Sequence, residues 1–302
     1  MLRYFTSSYW NRLFYRKKKQ FFPSHYAIWD ELAYNYNVRT GKILSYRHPK
    51  DINQKLYWLN RYWQEPLKTQ CADKYAVRDY VKYNGLGDIL VPLIGVWNNA
   101  EQIDFDNLPN QFVLKCNHGS GYNIMCLDKN KLNISQTIST LNSWMREDFS
   151  LLAHELHYST IPRKVICEKV LSNTAPLEYQ LWCINGEPDS FLICRKGYEG
   201  GYDSWSYSLN WERLYDRLHE NEENLPEPCN LTQIIEDARI LSKPFPFVRV
   251  DFYNVEERIY FAELTFTPAA NFLSAYKDEF IERLGKKLIL PRKTLSNSAP
   301  FR

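Results

Sequence analysis

In the stretch FVLKCNHGSGYN, residues 112–123, an apolar run carries one lysine and closes on a turn with two glycines. Read as a strand, it puts Val113, Lys115 and Asn117 on one face and Phe112, Leu114 and Cys116 on the other. An ammonium at a strand end needs an anion or water, and backbone amides exposed by a glycine turn seek the same kind of partner. Phosphate satisfies both.

A second cluster lies in FVRVDFYNVEERIYFAELTFTP, residues 247–268. Alternation sets Arg249, Asp251 and Tyr253 on one face of the first strand, and Ile259, Phe261, Glu263 and Thr265 on one face of the return strand. A three-residue loop centred near Glu257 then brings Asp251 opposite Glu263 and Arg249 opposite Thr265. Two carboxylates paired across strands repel at Cβ separations of about 4.5–5.5 Å. Mg²⁺, which selects oxygen ligands, removes that repulsion. Arg249 is placed either to hold a phosphate or to make structural salt bridges with both acids. Taken with Lys115 and its glycine turn, the hairpin favours a metal-bound triphosphate. No G-x-x-x-x-G-K-[ST], H-R-D or D-F-G motif occurs, so the nucleotide site is neither a P-loop nor a protein-kinase site.

The elements that position these residues follow from periodicity and turn chemistry. Helices are predicted over His25–Val38, Asn53–Trp63, Asp73–Tyr83, Ile134–Phe149 and Leu231–Leu241, the last with Asn230 as its cap. Ile89–Val96 is apolar and β-rich, Phe112–Asn117 is a strand with Asn123–Leu127 returning antiparallel to it, and Lys164–Leu171 is a buried strand. Tyr179–Ile184 and Ser190–Cys194 form a hairpin around NGEP, with turn chemistry in Asn185-Gly186, and Phe247–Phe252 with Ile259–Phe266 forms another. Strands and helices in mixed order, without an internal repeat, favour an α+β fold over a doubly wound sheet.

Composition bounds the class. The 302 residues are 44 % hydrophobic and 16 % aromatic, ample for a globular core, and a net charge of +3 does not call for nucleic acid. No run of about 18 apolar residues predicts a membrane-spanning helix. The seven cysteines (71, 116, 126, 167, 183, 194, 229) contain no C-x-x-C pair and read as buried free thiols of a reducing compartment. His154 and His157 in HELH lack the H-E-x-x-H spacing and read as a solvated helix face rather than a metal site. Before the first acidic residue, Asp30, come Arg3, Arg12, Arg16, Lys17, Lys18 and Lys19, interleaved with Tyr4, Phe5, Tyr9, Trp10, Leu13, Phe14 and Tyr15. Two readings stand: an interfacial segment (residues 1–22) resting on an anionic inner-membrane leaflet, or a tail packed on the body.

The segments ADKYAVRDYV (72–81), LPNQFVLKCNHGSGYN (108–123), PRKVICEKVL (162–171), YQLWCINGEP (179–188) and FPFVRVDFYNVEERIYFAELTFTP (245–268) together resemble the ATP-grasp superfamily. Within it they resemble the TupA-like (teichuronopeptide biosynthesis) amidoligases of bacterial surface-polysaccharide clusters. The resemblance covers most of residues 50–270 and implies a fold in which two α+β subdomains clasp ATP, here preceded by a short helical region. The implied domains are a basic aromatic segment (1–24), a helical lead-in (25–70), the catalytic domain (71–290) and a tail (291–302).

The resemblance also implies roles. Lys74 and Lys115 are the two lysines reaching the nucleotide, and His118, Gly119, Ser120, Gly121 and Tyr122 form a mobile loop closing over the phosphates. Glu168, Lys169 and Leu171 belong to the linker whose backbone binds adenine, and Glu178 binds the ribose hydroxyls. Arg249 steadies the transferred phosphoryl group, Asp251 and Glu263 hold Mg²⁺, and Arg195 and Lys196 are candidates for the γ-phosphate. Thr265 stands where many relatives carry an Asn ligand, and Ala269 and Ala270 replace the usual glycines. The implied activity is ATP-dependent amide formation through an acyl phosphate. An amino acid would be joined to a uronic acid of a surface glycan or its lipid-linked precursor, by a cytoplasmic protein that touches the inner membrane at most peripherally. The alternatives are a glycosyltransferase or kinase-like transferase of the same pathway, and a non-catalytic nucleotide- or glycan-binding subunit.

Overall fold

The computed structural model describes residues 14, 17–18, 28–196 and 201–294. The basic aromatic segment thus lies outside the described residues apart from Phe14, Lys17 and Lys18, as does the tail from residue 295. Among the described residues the fold is α+β with two antiparallel sheets, and no helix is long and apolar enough to cross a membrane.

Four helices lead in: α1 (Ile28–Thr40), α2 (Ile52–Tyr62), α3 (Pro66–Ala72) and α4 (Val77–Tyr83). Periodicity predicts one helix over Asp73–Tyr83, but the chain breaks at Asp73, which is extended (ψ 115°). The Asp73 Oδ1 accepts from the Tyr75 and Ala76 N–H groups and so organises a turn before α4.

The first sheet contains β1 (Leu93–Trp97), β2 (Phe112–Cys116), β3 (Asn123–Cys126) and β4 (Val165–Lys169), in the order β1-β4-β2-β3. The unbroken apolar run of β4 reflects its interior position, with Val165, Ile166 and Cys167 all fully buried. In β2, Phe112, Leu114 and Cys116 enter a small core closed by Leu141 of α5 (Ile134–Arg146). Val113 and Lys115 leave on the opposite face. Helix α5 stops short of Phe149, because Asp148 caps a separate turn, α6 (Phe149–Ala153).

The second sheet runs β7-β6-β5-β8-β9, from β5 (Glu178–Ile184), β6 (Glu187–Lys196), β7 (Tyr202–Ser208), β8 (Phe247–Val255) and β9 (Arg258–Thr265). Asn185 and Gly186 make the β5–β6 turn at φ 53° and 82°. A Cβ on Gly186 would sit 2.8 Å from the Lys243 carbonyl oxygen, so glycine is required there. Helix α7 (Leu231–Ser242) lays Leu231, Ile234, Ala238 and Leu241 into the main core under this sheet. Asn230 does not cap it through its side chain; that amide instead bonds Asn254 and the Glu257 carbonyl. Helix α8 (Asp278–Lys287) ties the lead-in helices to this core: Lys55 of α2 donates to the Gly285 and Leu288 carbonyls at its C-terminus.

The β8–β9 register pairs Asp251 with Glu263 and Arg249 with Thr265, as expected, but by a different route. The loop has two residues, Glu256 and Glu257, both left-handed (φ 51° and 62°), and Ala262 is an extra residue bulged out of β9 between the Glu263 and Phe261 pairings. Glutamate is a poor occupant of such a turn. Replacing Glu256-Glu257 by Asn-Gly is expected to stabilise the fold by about 1 kcal/mol and raise the Tm by about 2 °C. An unchanged or lowered Tm would refute this account of the turn.

Candidate nucleotide site between the sheets

The cleft between the two sheets has two connected compartments. The outer, about 410 Å³, has apolar walls from Val91, Val113, Met125, Leu171, Pro176 and Tyr253. The inner, about 320 Å³, is polar and lined by Lys74, Arg78, Lys115, Lys196 and Arg249 against Glu168, Glu178 and Glu263, a surplus of positive charge. Lys115, Glu168, Glu178 and Lys196 border both.

Lys74 spans the inner compartment. Its ammonium donates to the Gly119 carbonyl at 2.8 Å and lies 3.6 Å from Glu263 Oε2, linking the glycine loop to the carboxylate hairpin. Its backbone is fixed from behind by Asn117, which is completely buried. The Asn117 amide donates to Asp73 Oδ1 (2.8 Å) and the Pro162 carbonyl (2.9 Å), and its oxygen accepts from the Lys164 N–H (2.7 Å). The Lys74 N–H donates to the Asn117 carbonyl at 3.2 Å. Burial raises the Asp73 carboxyl, against the pull of these hydrogen bonds. Asn117→Ala is therefore expected to cost about 2–3 kcal/mol in urea unfolding and to weaken ATP binding about tenfold, because it frees the Asp73–Lys74 turn. Normal ATP affinity in the variant would separate Asn117 from the site.

Lys115 donates to Glu168 Oε2 at 2.6 Å, and Arg78 donates to Glu168 Oε1 at 3.2 Å, so one buried carboxylate holds two cations at the junction of the compartments. Arg78 was not singled out by the sequence; its only signal is its place four residues after Lys74 in a helical pattern. Glu168 is paired in the ladder with Leu93 and Val113, and the Lys169 N–H donates to Pro92. Glu168, Lys169 and Leu171, the three residues expected of the linker, all border the outer compartment, with Ser172 after them. The Glu178 carboxylate accepts from Gln180 (2.7 Å) and Lys196 (3.4 Å). Arg195 pairs with Asp203 instead and does not line the cleft.

The glycine loop is divided. Ser120 and Gly121 line the inner compartment, whereas His118 turns inward, 2 % exposed, with Nε2 donating to the Trp144 carbonyl. Burial lowers the His118 pKa and keeps the ring neutral. Tyr122 stacks on Trp144 with ring centroids 5.3 Å apart and meets Phe149 edge-on, and a Cβ on Gly119 would collide with both Tyr122 and Phe149. Of the five residues expected to close over phosphates, Ser120, Gly121 and Tyr122 line the inner compartment and Gly119 offers its carbonyl to Lys74, while His118 is buried beneath the loop. HELH is corrected as well: His157 is buried beside Phe266, not on a solvated face.

At the hairpin, Arg249 grips Asp251 with both arms (2.8 and 2.6 Å) and reaches Thr265 Oγ1 at 3.2 Å. The Thr265 hydroxyl donates to Glu263 Oε1 at 2.8 Å. Although burial would raise Glu263, Lys74 and Arg249 hold it down to about 2, so it stays ionised. Burial raises the Asp251 carboxyl against the opposing pull of Arg249. Among the described residues no group of three or more His, Cys, Asp or Glu gathers into a metal cluster. Two carboxylates and a hydroxyl nevertheless form an all-oxygen donor set, suited to Mg²⁺ that keeps most of its shell from water and phosphate. All seven cysteines are free, and only Cys229 is exposed.

The chain matches a family model described as TupA-like ATPgrasp over residues 54–289. No curated protein matches it. Among solved structures it is similar to D-alanine–D-alanine ligase from Bacillus anthracis (17 % identity, 72 % of this chain and 60 % of that one, TM-score 0.42). It is also similar to the Helicobacter pylori D-alanine–D-alanine ligase (17 %, 77 % and 62 %, TM-score 0.45) and the L-amino acid ligase from Bacillus licheniformis (13 %, 78 % and 53 %, TM-score 0.44). The chain covers less than two thirds of the length of each of these three ligases.

Proposed function

Because the chain belongs to the TupA-like ATP-grasp family, we propose that it is an ATP-dependent carboxylate–amine ligase. The observation that carries this reading is the convergence of Lys74, Lys115, Arg249 and Glu263 on one polar compartment that opens into an apolar one. An apolar slot suits a purine ring, and a cationic chamber beside it suits a polyphosphate. Bound Mg-ATP would supply the phosphoryl group, with the cation held by Glu263 and Asp251 and screening the phosphate charge.

The chain's own residues then position and neutralise. Lys74 and Lys115 hold phosphate oxygens, and Arg249 meets the charge that develops on the transferred group. A carboxylate oxygen of the first substrate forms a bond to the γ-phosphorus as the bond to the β,γ-bridging oxygen breaks, and ADP departs with that electron pair. The amine of the second substrate attacks the activated carbonyl carbon, phosphate leaves, and the nitrogen loses its extra proton. Ser120 and Gly121 at the cleft and the wall of Tyr253 limit water access to the activated carboxylate.

We take the carboxylate to be a uronic acid of a surface polysaccharide or its lipid-linked precursor, and the amine to be an amino acid, the substrate classes that the family resemblance implies. Residues 1–22 would rest on an anionic leaflet, which flotation of residues 1–25 fused to a soluble carrier with anionic vesicles checks; no binding removes that element. The central experiment supplies Mg-ATP, candidate uronic-acid glycans and hydroxylamine as surrogate amine. ADP with a hydroxamate is expected. Glycan-dependent ADP without hydroxamate would replace the ligase by a kinase-like transferase.

A further inference from the structure

Beside Arg249 lies a third cavity of about 230 Å³. It shares Gln180, Lys196 and Arg249 with the inner compartment, so the two meet at the guanidinium that faces the phosphates. Three cations line it, Lys196, Arg217 and Arg249, and no carboxylate does. Two of the three are engaged: Lys196 with Glu178 and Arg249 with Asp251.

Arg217 differs. Among the described residues it makes no ion pair; its guanidinium lies over the Tyr202 and Tyr276 rings (5.4 and 5.0 Å), Nη1 reaches only the Tyr276 hydroxyl at 3.3 Å, and the buried Nε has no partner. Nearby arginines do not share this state: Arg213 pairs with Glu220, and Arg283 with Asp189 and Asp216. The backbone holds Arg217 there on purpose-built rungs. Arg217 bridges Tyr276, the Leu218 N–H donates to Ala275, the Lys277 N–H donates to Asp216, and the Arg217 N–H donates to the Glu220 carboxylate. A guanidinium fixed on two aromatic faces with donors left over is preorganised for a planar anion.

We propose that this cavity is the subsite for the carboxylate substrate and that Arg217 is its anchor. The proposal rests on the ligase reading for its orientation: a carboxylate bound at Arg217 faces the phosphate compartment across Arg249. The volume admits one sugar ring or one amino acid, and the Tyr202 ring at its edge offers a flat apolar surface. Ala269, which lines the cavity in a left-handed conformation (φ 49°), keeps that wall free of a long side chain.

The test titrates D-glucuronate, L-glutamate and uncharged D-glucose into the full chain by calorimetry, with ATP titrated separately. One carboxylate is expected to bind and glucose not to; which carboxylate binds identifies a sugar acid or an amino acid as the source. Arg217→Met should weaken that binding about 30-fold and leave ATP affinity unchanged. Ser274→Glu, at the exposed cavity rim, should weaken it by charge repulsion without touching Arg217, and so covers the case in which Arg217→Met does not fold. Binding of neither carboxylate at 50 mM (about a thousandfold weaker than a usual substrate), or binding indifferent to both substitutions, overturns the proposal. Carboxylate binding without hydroxamate formation would leave the subsite standing and sink the ligase. Hydroxamate formation at an unchanged KM in Arg217→Met would do the reverse.

Discussion

Replacing Arg249 by methionine is expected to slow ATP-dependent turnover about 10³-fold and also to destabilise the protein by roughly 3–5 kcal/mol. The two effects have separate causes. Arg249 makes the bidentate bond that neutralises Asp251, a carboxylate 1 % exposed on β8 between its neighbours β5 and β9. Removing the guanidinium leaves that charge buried and unpaired, which accounts for the stability loss. The same guanidinium faces the compartment assigned to the phosphates, which accounts for the rate loss. The double variant Arg249→Met/Asp251→Asn removes the buried charge while leaving the site without its arginine. It should regain most of the lost stability in urea denaturation and none of the turnover. If turnover returns together with stability, Arg249 is a structural counter-ion and the phosphoryl-transfer role falls.

The shared face of these residues was legible in the sequence, because a strand's period of two is strict. Once a turn falls near Glu257, Arg249, Asp251, Glu263 and Thr265 must share a face, and any one-residue slip would send them into the core. The turn itself was not legible: a three-residue loop and a two-residue loop with a bulge at Ala262 produce the same pairing at Asp251. The β2–β3 hairpin could be read for a similar reason, since Lys115 alternates with three residues that are completely buried.

What escaped is what depends on tertiary packing. His118 belongs to a polar, glycine-rich motif, yet Trp144 and Tyr122, brought together by a hairpin and a distant helix, take it inside. Lys68 drew no expectation from the sequence, and only the fold sets it over the Trp63 and Phe266 rings, where burial lowers its ammonium to about 7. Arg217 stands in an irregular stretch with no periodicity to give it a face. Its place is set by backbone bonds to residues almost sixty positions later in the chain. Strand β7 went unpredicted, since it is held by its pairing with β6 rather than by a strong pattern of its own; helix α8 went unpredicted although acids open it, lysines close it and Phe280, Ile281 and Leu284 share its buried face.

The second large effect concerns Glu263. Glu263→Gln keeps the shape of the side chain and an oxygen to accept from the Thr265 hydroxyl, but removes the charge that Lys74 and Arg249 hold ionised. Since Glu263 is only half-buried, and Lys74 keeps the Gly119 carbonyl and Arg249 keeps Asp251 in the variant, the fold should lose less than about 1 kcal/mol. Mg²⁺-dependent turnover, by contrast, should fall about 10³-fold, the loss expected when a hard cation can no longer be fixed beside the transferred group. A salt-bridge role alone predicts a different pattern. Losing a counter-charge would leave Lys74 and Arg249 more attractive to phosphate, so ATP would bind at least as tightly and the Mg²⁺ concentration needed for half-maximal rate would not move. A metal-holding role requires that concentration to rise in Glu263→Gln, and requires EDTA to reduce the parent to the rate of the variant. Measuring turnover against free Mg²⁺ in both proteins therefore separates the two, and an unshifted Mg²⁺ midpoint would return Glu263 to the part of a structural ion pair.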